Sequence, residues 1–272
     1  MPGLGGMVKR ITGTYFRVPD FTGLAEFYAD FLGMKVVHRD ADRIAFSFDK
    51  SQNSLVFQKA DVSDYCAGTH DFYWKIGITL KNLDDAVNYL RGRGIPLNDP
   101  IQFRDIGYMT KMTDPKGFQI ELLQQGFEGN AEALDLGSLA SSHAIADQAI
   151  LAHITLRVTD LVTARDYFEN KLGMRLMSIQ PVNDRGFCLY FYSWNNEALP
   201  DPDLKAVANR EWLWRRPYSL IELQHWENSA VQISQTPMDQ AGFDGFSFDD
   251  ETLNGKAGSV ERKVTLTDMS II

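Results

Sequence analysis

The stretch Arg17-Val-Pro-Asp-Phe21 decides the fold of this chain, because it returns 140 residues later as Arg157-Val-Thr-Asp-Leu161. The motifs that follow return at the same offset: Phe27-Tyr28 and Leu32-Gly33-Met34 become Tyr167-Phe168 and Leu172-Gly173-Met174. Chance rarely produces a gapless repeat of this length. The chain is therefore interpreted first as an array of repeated supersecondary units.

Each copy has the same local pattern. The residues before Asp20 and Asp160 alternate between apolar and polar, which predicts a strand. The two aspartates then stand where a helix N-cap belongs, and apolar residues follow at helical spacing. Gly33 and Gly173 come where a left-handed residue usually closes a helix. Because more strands follow, each copy is predicted to be a βαβββ module.

Two further modules complete the array. The unit between the copies has a strand at Trp74–Leu80, a helix from Asn82, a turn at Asp114-Pro-Lys-Gly117 and a strand at Phe118–Leu123. A last module begins with the strand Gly242–Phe248 and then loses the apolar helical stripe. This last module is predicted to be degenerate and shortened.

The predicted fold class is therefore α+β, with four βαβββ modules paired into two domains. We expect an N-terminal domain over 7–126 and a C-terminal domain over 150–272. The segment 127–149 is rich in Ala, Gly, Ser and Asp, which is typical of a linker.

Composition excludes several classes of function. The chain has 272 residues, with 27 Lys and Arg against 36 Asp and Glu, a net charge of −9. An acidic chain without a basic run is a poor partner for nucleic acid or an anionic membrane. We expect a cytoplasmic protein, because no signal peptide is recognisable and the two cysteines, Cys66 and Cys188, suit free thiols. No glycine-rich phosphate loop occurs, so no nucleotide cofactor is predicted.

Strand parity marks a candidate site in the second half. His153, Thr155 and Arg157 share one face of their strand, because side chains alternate with period two. Glu222 and Gln224 share one face of another strand in the same way. The opposite faces are apolar and suit packing against helices. The polar faces therefore suit the wall of a cavity.

These motifs resemble the vicinal oxygen chelate superfamily, which includes glyoxalase I, extradiol dioxygenases and bleomycin resistance proteins. The carriers are the repeated R-V-x-D…F-Y-x3-L-G-M pattern and the segment Asp114-Pro-Lys-Gly-Phe-Gln-Ile-Glu-Leu122. The resemblance implies βαβββ modules paired around a cupped site. Residues 153–226 are most similar to glyoxalase I.

The resemblance to glyoxalase I implies a metal site. Its metal ligands on the first and last strands of a module correspond here to His153 and Glu222, the latter doubling as catalytic base. It implies that Arg157 holds a substrate carboxylate and that Gln224 and Trp226 lie in the substrate-binding site. Imidazole and carboxylate suit Fe, Mn, Ni or Zn.

Two neighbours of this site are also considered. A third metal ligand is needed, and Asp244 is the candidate that the sequence offers. In the second module the ligand positions are held by Lys75 and Glu121. A lysine is no metal ligand while protonated, so we expect a buried Lys75–Glu121 ion pair that substitutes for a metal, and no metal in the N-terminal domain.

Four functions stay open, and the least specific of them is a scaffold or regulatory protein whose last module docks a partner chain. The first is a metal-dependent lyase or isomerase that acts on a small vicinal-oxygen or glutathione-adduct substrate, favoured by His153, Glu222 and Arg157 occurring together. The second is an extradiol-type ring-cleavage dioxygenase. The third is a metal-free protein for small-molecule binding or resistance. A homodimer is compatible with each, since a shortened last module leaves a sheet edge for a partner.

Overall fold

The computed structural model describes residues 9–49, 52–131, 143–228, 230–250, 260–265 and 267–269. The predicted modules are present. The first contains β1 (Ile11–Val18), a helical segment (Glu26–Phe31), β2 (Lys35–Arg39), β3 (Arg43–Ser47) and β4 (Ser54–Lys59). The second contains β5 (Tyr73–Leu80), a helix (Leu83–Gly92), β6 (Ile101–Phe103), β7 (Gly107–Thr113) and β8 (Gln119–Gln124).

The second half repeats this order. The third module contains β9 (Ile150–Val158), a helical segment (Leu161–Arg165 continued by Asp166–Lys171), β10 (Arg175–Val182), β11 (Phe187–Ser193) and β12 (Leu220–Trp226). A short turn of helix (Asn183–Arg185) precedes β11, and a helix (Ala208–Trp214) precedes β12. The last module has β13 (Gly242–Asp250) and β14 (Val260–Thr265) among its described residues. None of the described helices has the length and apolar character that crossing a bilayer requires.

The predicted helix signals are confirmed except at Asp20, whose carboxylate accepts from the Thr22 amide while the helical segment begins later, at Glu26. Asp160 caps its helix, with its side chain accepting a hydrogen bond from the Thr163 amide. Asn82 accepts in the same way from the Asp85 amide. Gly33 and Gly173 have φ of 71° and 69°, the left-handed conformation that glycine adopts without a steric cost.

The modules pair differently from the expectation. The two modules of each half were expected to pair, whereas each sheet takes strands from both halves. One sheet has the order β14-β13-β1-β4-β3-β2, which joins the first module to the last. The other has the order β10-β11-β12-β9-β5-β8-β7-β6, which joins the second module to the third. The first strands of the modules share the same alternation of side chains between the two faces. The pattern therefore predicts the modules but not which modules pair within a sheet.

An aromatic cluster joins the two sheets. Phe16 of β1 contacts Tyr73 of β5 and Phe118, with ring centroids 5.4 and 4.5 Å apart. Tyr73 also stacks on Phe243 of β13, at 5.2 Å. These rings are buried, and burial of aromatic surface is a large favourable term in folding. Contacts of this kind, at long sequence separation, select which modules meet.

A buried carboxyl links the first two modules. Asp114, in the turn before β8, accepts hydrogen bonds from the Tyr28 hydroxyl and from the amides of Lys116 and Phe118. Burial raises the pKa of Asp114 to about 6, although these hydrogen bonds act in the opposite direction. The folded state therefore holds its proton more tightly than the unfolded chain does.

We expect Asp114→Asn to gain stability relative to the wild type as pH rises. Because the folded pKa is raised, the contribution of Asp114 to stability is complete below pH ~4 and is lost as pH rises through about 6. The free energy of unfolding of the Asp114→Asn variant minus that of the wild type should increase by about 2–3 kcal/mol between pH 4 and pH 7. Urea unfolding at both pH values measures this. A difference independent of pH would contradict it.

Candidate functional site

Polar side chains cross the four central strands of the larger sheet in two rows. In the first row, Gly77 of β5 lies opposite His153 of β9. Glu121 of β8 lies beside Gly77 on the other side. Because β5 and β9 are antiparallel and equivalent in their modules, a local twofold relation should generate a second row from the first.

The second row has different chemistry. Lys75 of β5 lies opposite Thr155 of β9, and Glu222 of β12 lies beside Thr155. Lys75 is therefore the twofold equivalent of His153, and Glu222 is the equivalent of Glu121. The correspondence predicted for Lys75 and Glu121 is confirmed by these registers.

The two rows meet in one buried cluster. Lys75 Nζ lies 2.6 Å from Glu121 Oε1 and 3.8 Å from Glu222 Oε2. His153 Nε2 lies 3.1 Å from Glu222 Oε2 and 3.5 Å from Glu121 Oε1. Thr155 donates its hydroxyl to Glu222 Oε2 at 2.8 Å. The expected Lys75–Glu121 ion pair is thus confirmed, and His153 and Glu222 are neighbours as predicted.

The charges of this cluster depend on one another. Burial by itself raises the pKa of Glu121, but the Lys75 ammonium and His153 overcome burial and hold that pKa well below its usual range. Glu121 is thus a carboxylate whose charge Lys75 compensates. Both nitrogens of His153 are buried without a hydrogen-bond partner among the described residues. The 3.1 Å approach to Glu222 is therefore a contact without hydrogen-bond alignment.

Gly77 makes room for His153. A Cβ atom at residue 77 would overlap the imidazole ring of His153, which lies across the glycine. The other side of the ring meets Phe191 and Trp214, at centroid distances of 6.3 and 6.0 Å. Gly77 was not among the site residues predicted from the sequence. A glycine inside an otherwise alternating strand was the available signal, since it often marks a close approach.

A cavity of about 450 Å³ opens above the cluster. Lys75, Glu121 and Glu222 line its floor, whereas His153 lies beneath them and does not line it. The walls come from the second and third modules and are largely apolar. They include Ile101, Phe103, Ile106, Met109, Leu123, Phe187, Leu189, Phe191, Trp214 and Trp226.

Cations gather on one side of this cavity, around Trp74. Lys75 Nζ and Lys111 Nζ each lie 4.6 Å from a Trp74 ring centroid, and the Arg157 guanidinium carbon lies 4.8 Å away. These are cation–π distances. Burial, and then the nearby Lys75 ammonium, lower the pKa of Lys111. Among the described residues, Lys111 has no carboxylate within 4.0 Å.

The predicted substrate-binding residues line the same cavity. Arg157 donates from Nε to Gln224 Oε1 at 3.0 Å, and from Nη1 to the Asp71 carbonyl at 3.2 Å. Burial lowers the pKa of Arg157 to about 10, so the guanidinium is still charged at neutral pH. Gln224 and Trp226 follow Glu222 on β12, and both face the cavity.

The suggested third ligand is elsewhere. Asp244 belongs to the smaller sheet, where it pairs with Arg17 at 3.1 Å and with Lys263 at 3.3 Å. Asp244 was a wrong candidate because its module pairs with the first module and not with the third. The second carboxylate that approaches His153, after Glu222, is Glu121 at 3.5 Å, which was expected in a different domain.

The residues as they stand do not fit a resident divalent metal. The unpartnered nitrogens of His153 are what a metal ligand would show, but the Lys75 ammonium lies between the two carboxylates. A divalent cation about 4 Å from an ammonium is repelled by about 8 kcal/mol at a typical effective protein dielectric. Accordingly, no three His, Cys, Asp or Glu side chains within the described ranges are arranged to hold a metal.

We expect Gly77→Ala to destabilise the protein by about 1–3 kcal/mol, because the new methyl group forces His153 out of its position. Gly92→Ala is the matched control, since a Cβ at residue 92 meets nothing within 4 Å. Adding His153→Ala to Gly77→Ala should recover part of the loss, because the overlap is removed. Urea unfolding measures all three variants. Equal stability of the two single variants would show that the contact carries no strain.

Comparisons with known proteins agree with this fold. The family model described as Glyoxalase/Bleomycin resistance protein/Dioxygenase superfamily matches residues 10–122. The structure of glyoxalase I from Zea mays is similar with a TM-score of 0.61 and 16% identity, covering 88% of this chain and 74% of that one. A protein described as a candidate dioxygenase from Bacillus subtilis subsp. subtilis str. 168 has a TM-score of 0.54 and 15% identity, covering 88% and 69%. No curated protein sequence matches.

At these identities the structural matches establish the fold and leave the chemistry open. They confirm the α+β class and the glyoxalase-like modules. The match to the Glyoxalase/Bleomycin resistance protein/Dioxygenase superfamily model covers the first two modules, residues 10–122, and the similarity in fold to glyoxalase I from Zea mays extends over 88% of the chain.

Proposed function

We propose that this chain is a metal-free binding protein for a small anionic molecule with an aromatic or aliphatic body. One observation carries this proposal: Lys111, an ammonium without a carboxylate partner among the described residues, lines a largely apolar cavity. Glu121 and Glu222 stabilise this partly buried charge only from a distance, so a ligand anion in direct contact with it would offset more of the cost of burial.

Arg157 supports an anionic ligand for the same reason. Its described hydrogen bonds go to neutral acceptors, the Gln224 side chain and main-chain carbonyls, and it has no carboxylate within 4.0 Å among the described residues. Guanidinium and ammonium groups on one wall suit a carboxylate, sulfonate or phosphate. The chain as a whole is acidic, at −9, so these cations are a local feature.

The opposite wall supports an apolar body. Aromatic and aliphatic side chains dominate it, among them Phe187, Phe191 and Trp214. A volume of about 450 Å³ lies within the usual range of small-molecule sites. A ligand that places its charge near Trp74 and its apolar part against Trp214 would use both walls.

A second candidate is a lyase or isomerase in which Glu222 is the base. Glu222 lines the cavity floor, and its Oε2 lies 3.8 Å from the Lys75 ammonium. A carboxylate beside a cation suits removal of a proton next to a carbonyl group, with the cation stabilising the oxygen that gains charge. A dioxygenase has less support, because its ligand set needs a second histidine and His153 is the one histidine in this cluster.

The lyase hypothesis predicts that wild-type protein forms lactoylglutathione from methylglyoxal and glutathione without added metal. Glu222→Gln should lower this rate by at least about a hundredfold, since general base catalysis contributes roughly 10²–10⁴. Absorbance at the thioester band measures the product. No turnover by the wild type above the uncatalysed rate would remove glyoxalase activity as a function of this chain.

The binding proposal predicts selectivity by charge. Naphthalene-2-carboxylate should quench the fluorescence of the tryptophans that line the cavity, whereas 2-naphthylmethylamine, with the same ring system and opposite charge, should not. Lys111→Gln should weaken carboxylate binding about tenfold, the usual scale for loss of a charge-assisted hydrogen bond.

Lys35→Gln is the matched control, because Lys35 is an exposed lysine on β2 of the smaller sheet. It removes the same charge from the chain without changing the cavity, so carboxylate binding should stay at the wild-type level. Equal binding of the carboxylate and the amine would contradict an anion site. So would a Lys111→Gln variant that binds as tightly as the wild type.

A further inference from the structure

The cluster beneath the cavity contains three side chains of metal-ligating types, although as they stand these described residues are not arranged to hold a metal. Glu121, His153 and Glu222 are each at most 3% exposed, and they come from three different central strands. The Nε2 atom of His153 lies 3.1 and 3.5 Å from one oxygen of each carboxylate. Donors around a tetrahedral zinc ion with bonds of about 2.0–2.2 Å are separated by about 3.3–3.5 Å. Two of the three separations are therefore close to those of a metal site.

His153 supplies a second, independent observation. Its side chain is 1% exposed, and neither ring nitrogen has a hydrogen-bond partner among the described residues. A buried polar group without a hydrogen-bond partner destabilises the folded state, so a buried imidazole that faces two carboxylates without bonding to either calls for an explanation. Gly77 leaves room for the ring at this position, since a Cβ atom at residue 77 would overlap it.

Lys75 completes the cluster with a positive charge. Its ammonium lies 2.6 Å from Glu121 and 3.8 Å from Glu222, the two carboxylates that also approach His153. Removing one partner of a buried ion pair is strongly destabilising, because the remaining charge is left without compensation. In this set of four residues, Lys75 is the side chain that cannot donate a lone pair to a metal while it is charged.

We infer that the Lys75 ammonium is the built-in cation of this site and masks a divalent-metal site formed by Glu121, His153 and Glu222. The ammonium thus compensates one of the two carboxylate charges without any metal. A ligand in the cavity meets an N–H donor at the floor in place of a Lewis acid. Replacing Lys75 with a neutral donor should open the masked site. The inference depends on the same cavity as the proposed function, but not on which ligand the cavity binds.

The test is zinc binding by Lys75→His. Wild type, Lys75→His, Lys75→Gln and Lys111→Gln are dialysed against zinc sulfate, freed of excess metal and assayed for zinc by mass spectrometry. We expect near-stoichiometric zinc in Lys75→His, less in Lys75→Gln, and none at stoichiometric level in the wild type. Lys111→Gln is the matched control, because it removes a lysine from the same cavity and leaves Lys75 in place.

Cobalt gives a second readout. Lys75→His loaded with Co²⁺ should show the intense visible absorption of a tetrahedral site, and adding His153→Ala should abolish it. Stoichiometric zinc in the wild type would overturn the inference, as would a folded Lys75→His without zinc. If Lys75→His does not fold alone, zinc should restore its folding by binding the native state, and failure to do so would also overturn the inference.

The zinc result and the carboxylate titration can be told apart. A Lys75→His variant that takes no zinc would end the masking inference and leave anion binding by the wild type intact. A wild-type protein that binds no carboxylate would end the proposed function and leave the zinc result of Lys75→His intact. Stoichiometric zinc in the wild type would reject both the masking and the metal-free character of the site.

Discussion

The contact between Lys75 and Glu121 is the interaction on which this site depends. Both groups are buried, at 4% and 3% exposure, and Glu222 lies on the other side of the ammonium. Two carboxylates buried in an apolar sheet interior would repel one another and lack solvation. The single lysine balances much of that charge, so the cavity above can be apolar on one wall and cationic on the other.

The sheet topology brings these groups together. The second module supplies Lys75 and Glu121, and the third supplies His153 and Glu222, so neither module holds the cluster alone. The antiparallel pairing of β5 with β9 places equivalent strands side by side and creates the local twofold relation. The twofold relation does not extend to side-chain identity, because the position equivalent to His153 is occupied by Lys75. The inferred masking of a metal site depends on that one side chain.

Much of the fold was predictable, because it depends on local chemistry. The repeat at an offset of 140 residues, the caps at Asn82 and Asp160, and the glycines at 33 and 173 each act within a few residues of themselves. Alternation also put His153 and Glu222 each on the polar face of its strand, and the resemblance to the vicinal oxygen chelate superfamily implied that the two strands are neighbours. The partner modules were not predictable, since alternation tells which face is buried and not which strand lies beside it.

The site was predictable in part for the same reason. The substitution of Lys75 for a ligand could be read from the module alignment, and so could the Lys75–Glu121 pair. The approach of that pair to His153 could not, because it requires the second and third modules to share a sheet. Asp244 was expected near His153 on the assumption that the last two modules pair. Gly77 was not predicted to be important, because its role is to leave room for the His153 ring, which belongs to another module.

Anomalous diffraction tests the central claim most directly. Crystals of the wild-type protein grown with excess zinc would be measured on both sides of the zinc absorption edge. The Lys75 ammonium should have clear density between Glu121 and Glu222, and no anomalous peak should lie beside His153. A strong peak bonded to His153 and Glu222, with the Lys75 side chain turned away, would contradict it.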